Sequence, residues 1–388
     1  MTLQRRVPPS ISESFDPIVV AADLSRRFAE TAAEVDRSGE TSRANFESLA
    51  GAGLLRLTIP ETAGGHGAGL EATSKVVEWI GRGEPSTALI LAMHLINHAT
   101  VVRTWPQEVA TRLQQESCVG ISLLNALRVE PELGTPARGG LPATIGRRTA
   151  DGWRISGHKL YSTGIPVLRW LLVWGRTDET EPRVGTFLVP ADAPGIKVVP
   201  TWNHLGMRAT ASHDVILEDV AIPFDHGLDL RPASAGGRDA EYWAWATLTV
   251  SSLYNGVALV ARDWLIDFLK TRKPSNLGAP LASLPRMQEA VGEIEALLRV
   301  NARLLSSTGR DVDAGRIPEI AESGLIKSTV TNNAIAAVEI ALKLSGNHGL
   351  SRGNPLERHH RDVLCGRIHT PQDDSVRLAA GKGALEPS

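Results

Sequence analysis

The stretch "ATIGRRTADGWRISGHKLYSTG", Ala143 to Gly164, decides the architecture. Apolar and polar residues alternate in short runs, and Asp151-Gly152 sits between two of them. Period-two alternation buries one face of a strand, and Asp-Gly tolerates the backbone angles of a tight hairpin turn. Short β-type runs lie on both sides: "VGISLLNAL" (119–127), "RWLLVWGRTD" (169–178), "RVGTFLVPADAPGIKVVPTW" (183–202) and "SHDVILEDVAIP" (212–223). Residues 120–230 therefore read as a β-domain, left through glycine-rich "RPASAGGRDAE".

Further out, both flanks are helical. "DPIVVAADLSRRFAETAAEVDRSGE" (16–40) spaces its apolar residues at three and four and stops at Gly39, and Ser42 is placed to cap the next helix. After the loop "IPETAGGHGAGLE", residues 70–105 give two more helices split at "GRGEPS", the second apolar nearly all round and so a buried helix. On the other flank, residues 241–272, 287–312 and 317–346 are long and amphipathic. The expectation is an α+β chain: a helical domain over 1–119, the β-domain over 120–230 and a four-helix bundle over 231–388.

Bulk properties narrow the function. With 388 residues the chain exceeds what one core normally holds, and its formal charge of −2 gives no electrostatic basis for binding nucleic acid or an anionic membrane. Cys118 and Cys365 form no pairing framework, which fits a reducing cytoplasm. The opening "MTLQRRVPPSISESF" lacks a signal-peptide core, and "STALILAMHLI" is too short to span a bilayer. A soluble cytoplasmic protein is expected.

No GxGxxG follows a strand and no GxxxxGK[ST] occurs. His94 and His98 share one helical face, yet no third ligand accompanies them, so no metal site is expected. "ERHHRD" (357–362) reads as a charged helix end, and "YWAW" (242–245) as core packing or the lining of an aromatic pocket. "GHKLYSTGIP" places an aromatic plane, hydroxyls and bare backbone N–H groups at a strand end, parts that suit a planar heterocycle.

Taken in series, the motifs resemble the acyl-CoA dehydrogenase superfamily along nearly the whole chain. "FESLAGAGLLRLTIPETAGGHGAGL" looks like that family's helix, turn and glycine loop, and "VEPELGT" resembles its flavin-contacting "TEPGAGS". "ISGHKLYSTG" resembles "INGQKMWITNG", "LGMRATASHDVILEDVAIP" its closing strand, and "GLSRGNPLERHHRD" is similar to "GFTEEYPVERLYRD". The resemblance implies an acyl-CoA dehydrogenase-like fold binding FAD, with FMN possible. It puts Tyr161 over the flavin, Thr163 as a hydroxyl donor, and Leu127, Val129, Thr135, Gln372 and Asp374 among the flavin contacts. Arg272 would meet the diphosphate across a subunit boundary, with Gly346 and Asn347 at the adenine end. A homotetramer follows, acting on a small molecule or acyl thioester, with a flavin reductase or electron-transfer flavoprotein as redox partner.

The family's dehydrogenases carry "RDAKIYQIYEGT", whose glutamate removes the substrate α-proton. Laid on "RDVLCGRIHTPQ" without a gap, the tyrosine falls at His369 and the glutamate at Thr370. An unactivated hydroxyl is too weak a base for that step. Glu241, Asp373 and Asp374 are the displaced alternatives. A second branch of the superfamily lacks the glutamate: monooxygenases that form a C4a-hydroperoxyflavin and carry histidines in this segment and on an N-terminal helix. His369 fits the first place and His94 or His98 the second. The resemblance thus implies an oxidoreductase, more an oxygenating than a dehydrogenating one. A flavin-binding protein without catalysis is the remaining reading.

Overall fold

The computed structural model describes residues 15–133, 140–235 and 239–385. Five helices come first: α1 (Pro17–Ser38), α2 (Arg43–Gly51), α3 (Leu70–Gly83), α4 (Pro85–Ile96) and α5 (Gln107–Val119). Their starts follow from sequence. Asp16 accepts from the N–H groups of Ile18 and Val19, Ser42 from that of Asn45, and Glu84 from those of Ser86 and Thr87, each satisfying donors that a helix leaves open.

Eight strands follow: β1 (Leu123–Leu127), β2 (Ile145–Arg148), β3 (Trp153–Lys159), β4 (Leu168–Thr177), β5 (Arg183–Pro190), β6 (Ile196–Val199), β7 (Asp214–Ile222) and β8 (Gly227–Pro232). They form one sheet in the order β6-β7-β3-β2-β4-β5-β8, with β1 added in parallel to β4. The Asp-Gly stretch closes the antiparallel β2/β3 pair, with Arg148 opposite Trp153. Phe187, Val173 and Ile155 are sealed in the sheet's core.

The remainder is helical: α6 (Ala240–Thr271), α7 (Pro285–Asp313), α8 (Ile320–Ser345), the short α9 (Asn347–Leu350), α10 (Leu356–Leu364) and α11 (Asp373–Leu385). Three long helices pack together, while α10 and α11 share the fourth position. One expectation needs correcting. Pro85–Thr104 and Ala240–Thr271 are both long and apolar enough to cross a membrane, because helical structure runs on past "STALILAMHLI". Within the protein, 89% and 83% of their apolar windows are buried, so packing accounts for their hydrophobicity.

Candidate active site

β3 delivers its last residues to the centre of the molecule. The Leu160 N–H donates to the Val129 carbonyl (3.0 Å), which brings the segment after β1 alongside the end of β3. Tyr161 then takes a left-handed backbone (φ 56°), an uncommon state for an aromatic residue that turns the chain and leaves the residue 54% exposed. Asn125 Nδ2 donates to the Thr163 carbonyl (3.0 Å), and Ser212 Oγ to Thr163 Oγ1 (3.1 Å). Gly164 follows with φ 79°, so close to α4 that a Cβ would stand 2.9 Å from Ile90. Leu127, Val129, Tyr161 and Thr163 therefore share one location; Thr135 lies outside the described residues. Beside Tyr161, Trp202 stacks on His204 with ring centres 3.6 Å apart, and Tyr161 meets both edge-on at 6.4 and 6.2 Å.

A buried ion pair sets this corner from behind. Lys159 Nζ donates to Glu130 Oε1 (2.7 Å) and to the Trp174 carbonyl (2.5 Å). The same carboxylate accepts from the N–H groups of Ala143 and Thr144 and from the Thr144 hydroxyl. Burial alone would raise the Glu130 pKa, but hydrogen bonds from Lys159 and Thr144 outweigh it and hold the carboxyl below its ordinary range.

The second half of the site comes from α10. Asp362 Oδ1 accepts from the Met207 N–H (2.7 Å), and Gly206 approaches so closely that a Cβ would lie 2.2 Å from the Arg361 carbonyl. Arg361 also holds Asp36 and Glu357. α10 thus grips the loop carrying Trp202 and His204, and the chain runs on from α10 to His369. There, His369 Nε2 lies 2.7 Å from the Tyr254 hydroxyl of α6. Burial, then the Lys327 charge, push the imidazole pKa down to about 4, so it is neutral near pH 7. Lys327 is itself 1% exposed, and its Nζ has no hydrogen-bond partner among the described residues. Thr370 is half-buried beside His369.

The other candidates are differently placed. His94 Nε2 bonds the Leu55 carbonyl (2.8 Å), and its Nδ1 accepts from the Leu124 N–H (3.3 Å). With both ring nitrogens committed to backbone, His94 fastens α4 to its neighbours and has no lone pair left for a substrate. His98 is sealed beside it, 4.6 Å ring to ring, with Nε2 on Ser117 Oγ (3.1 Å). No group of three metal-binding side chains occurs among the described residues.

Glu241 is ion-paired with Arg103, and Asp373 Oδ2 accepts from Asn332 Nδ2 (2.5 Å). The Gln372 carbonyl caps the start of α11, and exposed Asp374 accepts from the Ser375 N–H. Burial, then Asp362, push the Cys365 thiol up to about 12, which keeps it protonated.

Arg272 is exposed at the far end of α6, about 45 Å from Tyr242 at 1.5 Å per residue. His348 packs against Phe268 (5.2 Å), so Gly346 and Asn347 lie at that same far end. Within one protomer this group does not meet the Tyr161 corner. Tyr254, Lys327, Trp202 and Ser212 were not foreseen as site residues. Each lies in an ordinary apolar or loop context and acquires meaning only through a partner distant in sequence.

The Tyr161 corner suits a flavin. It offers an exposed aromatic face, and the Ser162 hydroxyl is buried with no partner among the described residues. A site of this kind, walled by a β-domain and closed by a helical bundle, defines a flavin-dependent oxidoreductase. The comparisons agree: the N-terminal, middle and C-terminal domains of acyl-CoA dehydrogenase match residues 19–110, 129–220 and 248–373. The chain belongs to the acyl-CoA dehydrogenase family, with FAD or FMN as its cofactor. It is 33% identical to a putative acyl-CoA dehydrogenase, YdbM, of Bacillus subtilis, covering 92% of this chain and 94% of the relative. L-evernosamine nitrososynthase from a Micromonospora is 27% identical over 93% and 88%. Among solved structures, KijD3 in complex with FMN and dTDP-3-amino-2,3,6-trideoxy-4-keto-3-methyl-D-glucose superposes with a TM-score of 0.77 at 25% identity, covering 98% and 96%.

Proposed function

We propose that the chain is a flavin-dependent monooxygenase. The observation that carries this is the threonine, in place of a carboxylate, at the position where the ungapped match puts the dehydrogenase base, with a histidine before it. Thr370 falls at that place in the ungapped match and Glu241 is paired with Arg103; Asp373 accepts from Asn332 at Oδ2, and its Oδ1 is buried with no partner among the described residues. A neutral imidazole stands next to Thr370 instead. Reduced flavin supplies two electrons, so that one atom of dioxygen enters the substrate and the other leaves as water.

The protein's part is to wall the ring system with Tyr161, to offer the Thr163 and Ser162 hydroxyls at its edge, and to handle protons at His369. Relatives named as a nitrososynthase and as a protein binding an amino-sugar nucleotide lend support. A small molecule is the substrate, a flavin reductase the electron donor and the cytoplasm the compartment. The assembly is a homotetramer, in which the partner subunit's Arg272 reaches the cofactor that this protomer walls.

The test supplies reduced flavin and dioxygen and follows substrate-dependent oxygen uptake and product mass. Incorporation of one oxygen atom is expected. Brisk anaerobic desaturation of an acyl-CoA with an artificial electron acceptor would establish the dehydrogenase reading, which the YdbM likeness favours.

A further inference from the structure

We propose that Tyr254 is a positioning residue for His369: its hydroxyl occupies Nε2 and so fixes Nδ1–H as the nitrogen presented to the reaction pocket. The inference rests on the reading of His369 as the group that handles protons.

His369 stands between α10 and α11, just after a 3-10 turn (Cys365–Arg367) closed by the Ile368 N–H on the Cys365 carbonyl, and its neighbours Arg367 and Ile368 are exposed. Its anchor comes from another helix. Tyr254 lies in the middle of α6 and is fully buried. Its ring is clamped from the same segment: a Cβ on Gly366 would stand 3.2 Å from two ring carbons and 3.4 Å from Thr331 Cγ2. The phenol oxygen is therefore fixed, and His369 Nε2 sits 2.7 Å from it.

The direction of that bond follows from counting partners. Tyr254 has one O–H, and His369 Nε2 is its one hydrogen-bond partner among the described residues. If Nε2 carried the proton and donated to the phenol, the phenol proton would be buried without an acceptor, a cost of ~1–3 kcal/mol. If the phenol donates, Nε2 is the acceptor and the ring proton resides on Nδ1. Burial keeps the phenol protonated, and burial with the nearby Lys327 charge keeps the imidazole neutral, so both partners stay in these forms. No group of the described residues bonds Nδ1. His369 accordingly offers a hydrogen-bond donor to a developing anion, and its one lone pair is held by Tyr254. That distinguishes it from a general base.

Histidine-selective ¹⁵N NMR of the flavin-loaded protein reads the tautomer directly, with His369→Gln assigning the resonances. At neutral pH the expected result is a neutral ring with the proton on Nδ1. Tyr254→Phe, which preserves the ring, should shift the ring toward the Nε2–H form. It should lower kcat about tenfold with KM and flavin content unchanged. A wild-type ring protonated on Nε2, or a Tyr254→Phe spectrum identical to the wild type, would overturn the proposal. The wild-type measurement does so even should the variant fail to fold. A shifted spectrum combined with full turnover in His369→Ala upholds the Tyr254–His369 pair and sinks only the catalytic reading beneath it.

Discussion

Two histidine sites invite comparison, the His94–His98 pair in the helical domain and His369 beyond α10. In the sequence the pair looked the more chemical, two imidazoles on one helical face. Folded, His94 gives both nitrogens to backbone groups of Leu55 and Leu124, and His98 is walled in beside it. His98 and His369 are each tied at one nitrogen, but the free Nδ1 of His98 is sealed in the interior, whereas His369 stands on a half-buried loop beside Thr370. Spacing along a helix says which side chains are neighbours. It does not say whether both ring nitrogens already have partners or whether the free one is sealed in, and that decides between fastener and reagent.

The sharpest way to break the comparison is to remove each imidazole and compare turnover. His369→Ala should lower kcat roughly 10²–10⁴-fold, the usual contribution of a positioned proton-handling group, with flavin still bound. His94→Ala should leave turnover per folded, flavin-loaded molecule unchanged. Stopped-flow or steady-state assays normalised to bound flavin decide it. Equal losses in the two variants would dissolve the contrast.

Stability should show the opposite ranking. His94→Ala strands the Leu55 carbonyl and the Leu124 N–H in the interior, at roughly 2–4 kcal/mol together. His369→Ala strands one buried group, the Tyr254 hydroxyl, and should cost ~1–3 kcal/mol, less than the two groups stranded by His94→Ala. Urea unfolding followed by tryptophan fluorescence would measure both. A His94 variant as stable as the parent would mean that water replaces the ring.

Acid titration sharpens the contrast further. Burial lowers His94 from 6.5 to about 4 and His359 from 6.5 to about 3, and burial with Lys327 lowers His369 to about 4. Between 6.5 and those values the unfolded chain takes up protons that the folded chain refuses. Their stabilisation is therefore complete above pH 6.5 and drains away as pH falls toward 4. Asp362 works the other way: burial raises it from 3.8 to about 7, which favours the fold as pH drops through that window. Burial lowers His66, His98, His204 and His226 as well and raises Glu78, so seven imidazoles oppose two carboxyls and outweigh them. The melting temperature should fall from pH 6.5 to 4.5, less steeply in His94→Ala than in the parent. A flat profile would refute the buried-neutral assignment.

Much of the fold was legible because helical and alternating patterns are local. The Asp151-Gly152 hairpin, the Ser42 cap and the three long C-terminal helices all declare themselves within a few residues. The strand end "HKLYSTG", which forms the corner proposed for the flavin, was legible as a strand end with its turn. What could not be read were long-range pairings. Tyr254 sits in "SSLYNG", an ordinary buried helix, and its bond to His369 spans 115 positions. Lys327 in "GLIKST" looks like a surface lysine, yet it is 1% exposed. The bilayer estimate failed for a related reason: how far helical structure continues past an apolar run is set by tertiary packing.

The smallest effect tests the runner-up base. Glu241 and Arg103 are partly exposed, with side chains 32% and 44% accessible, so their ion pair is worth ~0–1 kcal/mol. Glu241→Gln should change stability within that range and leave turnover nearly intact, since the pair closes the start of α6 and does no chemistry. A dehydrogenase whose base had moved there would behave otherwise: an amide cannot take a proton, and kcat would fall roughly 10²-fold or more. The measurement is steady-state turnover of Glu241→Gln beside His369→Ala under the same flavin load. A collapse in the first with indifference in the second would move the chemistry from the loop after α10 to the start of α6. It would also make His369 one more fastener, like His94.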